Sequence, residues 1–185
     1  MSVATAQGLG LRTRRGWVFR DVDLAVEPGE LVALTGPAGS GRTSLLLALA
    51  GHFRTTEGTR RLDGRAGLGL VPGIHEPESG LTVGELVRER QLLLGRSSAV
   101  DIPLDDRRLG RDLAPYERQV LMLRLATLGG PDLIAADDVD LGLSTVERAD
   151  LWSELELLAE DGYAVLVTSR EVHGRGFEYV MEGHR

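Results

Sequence analysis

Two stretches carry residue types and spacings that do chemistry. The first is Gly36-Pro37-Ala38-Gly39-Ser40-Gly41-Arg42-Thr43, continued by Ser44. It has the spacing of a phosphate-binding loop, in which successive backbone N–H groups and the positive end of a helix dipole converge on an anion. Glycine is required there because a Cβ blocks close approach and the positive-φ turns. The second stretch is Asp137-Asp138, at the end of the apolar run Leu133-Ile134-Ala135-Ala136. A Mg²⁺ ion bridging terminal phosphates needs hard oxygen ligands, directly or through water. Thr43 and Asp137 are therefore the expected metal-side residues, positions 36 to 44 the expected phosphate contacts, and Asp138 the carboxylate that would polarise an attacking water.

One residue departs from the loop pattern. Where the motif has lysine, position 42 is arginine, and all 21 basic residues of the chain are arginine. A guanidinium keeps the charge but is longer, planar and forked, so it holds phosphate without placing a point charge where transition-state charge develops. This favours binding over hydrolysis.

The flanking patterns predict the elements that position these residues. Residues 17–27 alternate as a half-exposed strand, and 31–34 form a buried strand running into the loop. A Leu- and Ala-rich helix follows, then turn signals over 52–64 and an apolar strand over 66–72. Residues 81–96 predict a helix capped by Thr82, with Leu81, Leu86, Leu92 and Leu93 at roughly helical intervals. Residues 97–112 read as a loop or short helical connection. A helix over 116–128 closes at Gly129-Gly130-Pro131. Residues 145–160 form an amphipathic helix with Leu151, Leu155 and Leu158 on its core face, and Tyr163 to Thr168 a further strand. Alternating strands and helices give an α/β fold, mostly a parallel sheet, with a small antiparallel flank.

Composition bounds the function. The 185 residues, 42% apolar, suit one domain over 1–185. A net charge of −7 argues against a nucleic-acid partner. The absence of cysteine excludes disulfides and thiolate metal sites. The N-terminal segment lacks a signal peptide's apolar core, and no apolar run approaches the roughly 18 to 20 residues that span a bilayer. The expectation is a cytoplasmic protein, peripheral on the inner face of the cell membrane only through a partner.

The blocks VEPGELVALTGPAGSGRTSLLLALAG, LTVGEL, PDLIAADD, VERADLWSELELLAEDGYAVLVTS and the terminal FEYVMEGHR, in that order, resemble the ATP-binding cassette family over almost the whole chain. The resemblance implies a P-loop NTPase cassette with a small antiparallel N-terminal subdomain, a shortened helical subdomain over 74–112, and a last strand and hairpin in FEYVMEGHR. It further implies ATP and Mg²⁺ as cofactors, a membrane permease as partner, and a head-to-tail homodimer or heterodimer. Against the family pattern, Gly73 stands where a glutamine is expected. The Leu-Ser-Gly-Gly-Gln signature is Leu113-Ala114-Pro115-Tyr116-Glu117, in which Pro115 removes an N–H donor and Tyr116 adds bulk. Asp138 replaces the catalytic glutamate, Leu143-Ser144 a terminal Leu-Asp, and Ser169 the switch histidine. His173 reads as a plain surface histidine. Near the expected adenine platform stand Arg12, Thr13, Arg14, Arg15 and Trp17; Trp17 reads as structural on its strand, with stacking on adenine as the other role. Two readings stay open: an ABC-type ATP-binding subunit with weak or partner-dependent hydrolysis, and a pseudo-ATPase that scaffolds or regulates a membrane protein. A soluble cassette acting on DNA or ribosomes is disfavoured by the acidic balance.

Overall fold

The structure is a computed structural model and describes residues 1–95 and 100–183. The chain opens with an antiparallel hairpin, β1 (Ala4–Thr13) and β2 (Gly16–Val26), to which β4 (Glu57–Leu62) adds, giving the order β2-β1-β4. The second sheet is wholly parallel, in the order β5 (Ala66–Leu68), β6 (Leu133–Ala136), β7 (Ala164–Thr168), β3 (Leu31–Thr35), β8 (Phe177–Val180). Helices α1 (Arg42–Leu49), α2 (Val83–Leu94), α3 (Pro115–Thr127) and α4 (Thr145–Glu160) connect them, with a 3₁₀ turn over Gly110–Asp112.

The parallel register puts the carboxyl ends of three strands side by side. β7 lies between β6 and β3, pairing Ala136 with Val167 and Leu34 with Thr168. The segments starting at Gly36, Asp137 and Ser169 therefore leave one edge of the sheet together, the place where open α/β sheets bind ligands. Both sheet faces are covered, which is why these strands are continuous apolar runs. Val32, Leu34, Leu133, Ala135 and Leu166 pack towards α1 and the antiparallel sheet. Ala33, Ile134, Ala136, Val165 and Val167 pack towards α3 and α4, where Leu151, Leu155 and Leu158 are buried as expected, with Trp152.

Several expectations are corrected. The strand read over 17–27 is one arm of a hairpin whose other arm, β1, is rich in Ala and Gly and owes its conformation to pairing with β2 and β4. The turn-rich span 52–64 contains β4, an edge strand exposed along most of its length. The strand expected over 66–72 is regular only to Leu68: the Gly69 N–H still donates to the Ala135 carbonyl and the Leu70 carbonyl accepts from the Asp137 N–H, and the chain turns back at Val71, which pairs with His75. Leu92 and Leu93 are 76% and 75% exposed. Leu92 falls on the side of α2 opposite the buried Val83 and Leu86, whereas Leu93, seven positions after Leu86, shares their face and borders an open cavity with His75, Glu89 and Met122. Thr82 does cap α2: its hydroxyl accepts from the Glu85 N–H while the Glu85 carboxylate accepts from the Thr82 N–H. Within 97–112, positions 97–99 lie outside the described residues. So do 184–185, on which the hairpin expected after β8 would fall.

The turn after β5 is tied to α2 by one imidazole. His75 Nδ1 lies 2.8 Å from the Gly69 carbonyl, and its Nε2 lies 2.8 Å from Arg90 Nη2. Arginine only donates, so Nε2 accepts, Nδ1 carries the proton and the ring is neutral. Burial, with the Arg90 and His52 charges, holds the His75 pKa below the ordinary histidine value. A lowered histidine pKa means the unfolded chain takes up protons first, so this stabilisation is lost as the pH falls below about 6.5. Urea midpoints at pH 7.5 and pH 5.5 are expected to differ more in the native protein than in a His75→Gln variant. An equal pH response in both would show that His75 is not the titrating link.

Candidate phosphate-binding site

The loop between β3 and α1 is fixed by close backbone approaches. Gly36 and Gly41 have φ of 131° and 86°. A Cβ on Gly36 would lie 2.4 Å from the Met181 carbonyl oxygen, and one on Gly41 2.5 Å from that of Val18. The loop is thus clamped between β2 and the end of β8. Gly39, at φ 82°, faces open space. Ser40 is buried, and its hydroxyl oxygen has no partner among the described residues. Ahead of α1, whose first turn carries no acidic residue, lies a glycine-lined loop with an unspent buried hydroxyl. That arrangement suits an anion.

Thr43 Oγ1 donates to the Asp137 carboxylate, with oxygens at 2.9 and 3.0 Å. Thr168, which the sequence reading did not single out, completes the network. Its hydroxyl donates to Asp137 Oδ1 at 2.6 Å and accepts from the Asp138 N–H at 2.7 Å. Asp137 is 3% exposed and Thr168 fully buried. No cluster of three or more His, Cys, Asp or Glu suited to a metal ion occurs among the described residues. A divalent ion at Thr43 and Asp137 would draw its remaining oxygens from phosphate and water, so the donor set fits a magnesium nucleotide better than a free metal.

Asp138 sits beside this pair with its backbone at φ 43°. Its side chain is partly exposed, and Arg42 Nη2 lies 3.8 Å from Oδ1. Burial, then the neighbouring Asp137 charge, raises its pKa, and Arg42 opposes the rise. Arg42 is mostly buried, and its Nη1 donates to the Ser169 carbonyl at 2.6 Å. The structure thus brings Arg42, Thr43, Asp137, Asp138 and Ser169 together.

Comparison with known proteins decides the family. Residues 19–140 match the ABC transporter family. The zinc import ATP-binding protein ZnuC of Roseobacter denitrificans is 34% identical over 94% of this chain and 71% of its own length. The chain is an ATP-binding cassette of the ABC transporter family. An aliphatic sulfonates import ATP-binding protein, SsuB 1 of Rhodococcus jostii, is 31% identical over 89% of the cassette and 71% of its own length. Among solved structures, a dimeric bacterial ABC transporter cassette superposes with a TM-score of 0.79 at 18% identity, over 97% of this chain and 94% of that one. An ATP-binding cassette in its ADP conformation superposes with a TM-score of 0.76 at 15% identity, over 98% and 87%. These two likenesses show the shared fold, with its parallel and antiparallel sheets.

Each departure in the cassette has a local structural setting. Gly73 is at φ 72°, and its N–H donates to Glu76 Oε1 at 2.5 Å. That backbone favours glycine, so a glutamine there would be strained. Pro115 is the first residue of α3, and the Glu117 carboxylate accepts from the Ala114 N–H while pairing with Arg108. Tyr116 does not project freely: it is half-buried against the core beside α4. Ser144 caps α4, its hydroxyl accepting from the Glu147 N–H. His173 is not a plain surface residue. Its ring meets Trp152 edge-on with centroids 5.9 Å apart. Trp17 packs against Gly10, and the Arg12 guanidinium lies 5.4 Å from its ring centroid. A cavity of about 230 Å³ opens between Pro72, Glu76, Pro115, Gln119 and Asp138. Gln119 follows the signature segment in a pair, Arg118-Gln119, that matches the family pattern, whereas nothing in its local sequence marks Glu76.

Proposed function

We propose that the chain is the ATP-binding subunit of an import transporter, binding Mg-ATP and working on a membrane permease, with hydrolysis weak or dependent on a partner cassette. The observation that carries this reading is the Thr43–Asp137–Thr168 network held opposite a glycine loop with an unpartnered Ser40 hydroxyl. Residues 36 to 44 take the phosphates, Thr43 and Asp137 take the magnesium side, and Asp138 is the residue nearest the reacting phosphate. Import is the direction of the ZnuC and SsuB relatives. The span 74–112 is a shortened helical subdomain within a single cassette over 1–185.

The second reading, a pseudo-ATPase scaffold, is favoured by the region around Pro115. A missing N–H donor at the start of α3 weakens any phosphate contact offered to an opposite cassette. A head-to-tail heterodimer would still pair this chain's loop with an intact signature. Binding separates both readings from a fold without nucleotide. Calorimetric titration with Mg-ATP is expected to give saturable heat, reduced about tenfold or more in affinity by Arg42→Ala, the range of one charge-assisted phosphate contact. No heat from either protein at millimolar nucleotide would overturn the ATP-binding reading.

A further inference from the structure

We propose that Arg42 is a positioning residue that links the phosphate loop to the segment after β7, residues 169–176, so that phosphate in the loop tightens that segment. The inference rests on the nucleotide-binding reading above, and its test separates the two.

The guanidinium reaches two neighbours at once, a backbone carbonyl and a side-chain carboxylate. On one edge, Nη1 donates to the Ser169 carbonyl at 2.6 Å. On the other, Nη2 stands 3.8 Å from Asp138 Oδ1, close enough for charge attraction and too far for a hydrogen bond. Arg42 is itself the first residue of α1, directly after the glycine loop. A lysine ammonium is shorter and presents its three donors from one nitrogen, so it cannot hold the Ser169 carbonyl on one nitrogen and a phosphate on another as the guanidinium fork does. Arginine here therefore does more than keep the charge.

The segment that Arg42 grips is itself a junction. Ser169 is fully buried; its N–H donates to the Leu34 carbonyl and its hydroxyl donates to the Glu171 carbonyl. The Arg170 N–H donates to Asp140 Oδ2 at 3.1 Å, and the Arg175 N–H to Glu156 Oε1 at 2.6 Å. Residues 169–176 thus touch the loop after Asp138, the end of β3 and α4. A phosphate pulling on the free edge of the guanidinium would fix the edge that holds Ser169. Ser169 contributes only its carbonyl to this contact, so the side chain at 169 is not needed for the link.

Hydrogen exchange of the amides in 169–176 tests this on the full chain, with calorimetry run in parallel on the same samples. In the native protein, saturating Mg-ATP is expected to slow their exchange about tenfold, the factor that one charge-assisted hydrogen bond carries; AMP, lacking the terminal phosphates, is expected not to. An Arg42→Lys protein, melting like the native one, should still bind Mg-ATP by calorimetry and show no such slowing. It should also exchange faster than native at Ser169 and Arg170 without nucleotide. Equal slowing in both proteins, or binding in the native protein with no slowing, overturns the link while leaving the binding reading intact. Absence of calorimetric binding in the native protein overturns both.

Discussion

A Gly41→Ala protein is expected to bind Mg-ATP about a hundredfold more weakly than the native chain and to melt at a lower temperature. Position 41 is at φ 86°, where an L side chain costs about 1–3 kcal/mol. Its Cβ would lie 2.5 Å from the Val18 carbonyl, a backbone atom that cannot rotate away. Either β2 recedes or the loop opens at the residue that precedes α1, and a loss of about 3 kcal/mol in the binding geometry corresponds to about two decades of affinity. Gly39→Ala supplies the contrast. Its φ of 82° carries a similar backbone cost, but its Cβ enters open space. Melting should therefore fall less than in Gly41→Ala, while affinity still falls because the positive φ at 39 belongs to the loop conformation that turns backbone N–H groups towards the anion. Calorimetry and thermal melting of the two variants read these effects separately. Native affinity in Gly41→Ala would remove the loop from the binding site.

The elements that flank the site were legible because each carries its own local signal. β3, β6 and β7 are apolar runs bounded by turn residues, and α4 begins at a Ser144 cap with Glu147 three positions on. β1 and β4 were not legible, since alanine, glycine and arginine give no strand pattern and only cross-strand pairing orders them. The same division holds in the site. Thr43 and Asp137 were readable from motif spacing, and their hydroxyl–carboxylate contact is present. Thr168 was hidden, because its role follows from β7 lying beside β6 in the sheet and no local sequence states that adjacency. The Arg42 contact was hidden for a further reason: its acceptor is a backbone carbonyl, which every residue has.

The departures from the family pattern are supported by their surroundings, and this bears on reversal by single substitutions. Gly73 fits a left-handed backbone, Pro115 fits the first position of a helix, and Tyr116 is packed against the core. Restoring one family residue at a time would introduce strain at 73 or leave a gap beside α4 at 116. The present residues are mutually consistent with the chain as folded.

The Asp137→Asn protein is expected to keep its fold and lose the effect of magnesium on nucleotide affinity. The carboxylate is 3% exposed and accepts from Thr43 and Thr168. An amide of the same shape can accept from the Thr168 hydroxyl through its oxygen and donate its NH₂ to the Thr43 oxygen, because a threonine hydroxyl both donates and accepts. Stability should change by less than about 1 kcal/mol, since no buried polar group is left without a partner. What the amide lacks is the hard anionic oxygen that a divalent ion, or a water on it, requires. The ratio of ATP dissociation constants in EDTA and in magnesium should fall from about tenfold or more towards one, the loss of one charge-assisted contact. Asp137→Ala separates shape from charge. It leaves the fully buried Thr168 hydroxyl without its acceptor and opens a small void, costing about 1–3 kcal/mol even after repulsion from Asp138 is relieved. Urea unfolding should therefore rank the alanine variant below the asparagine variant, while both show the same flat magnesium dependence. A tenfold magnesium effect persisting in the asparagine variant would move the metal-side carboxylate away from position 137.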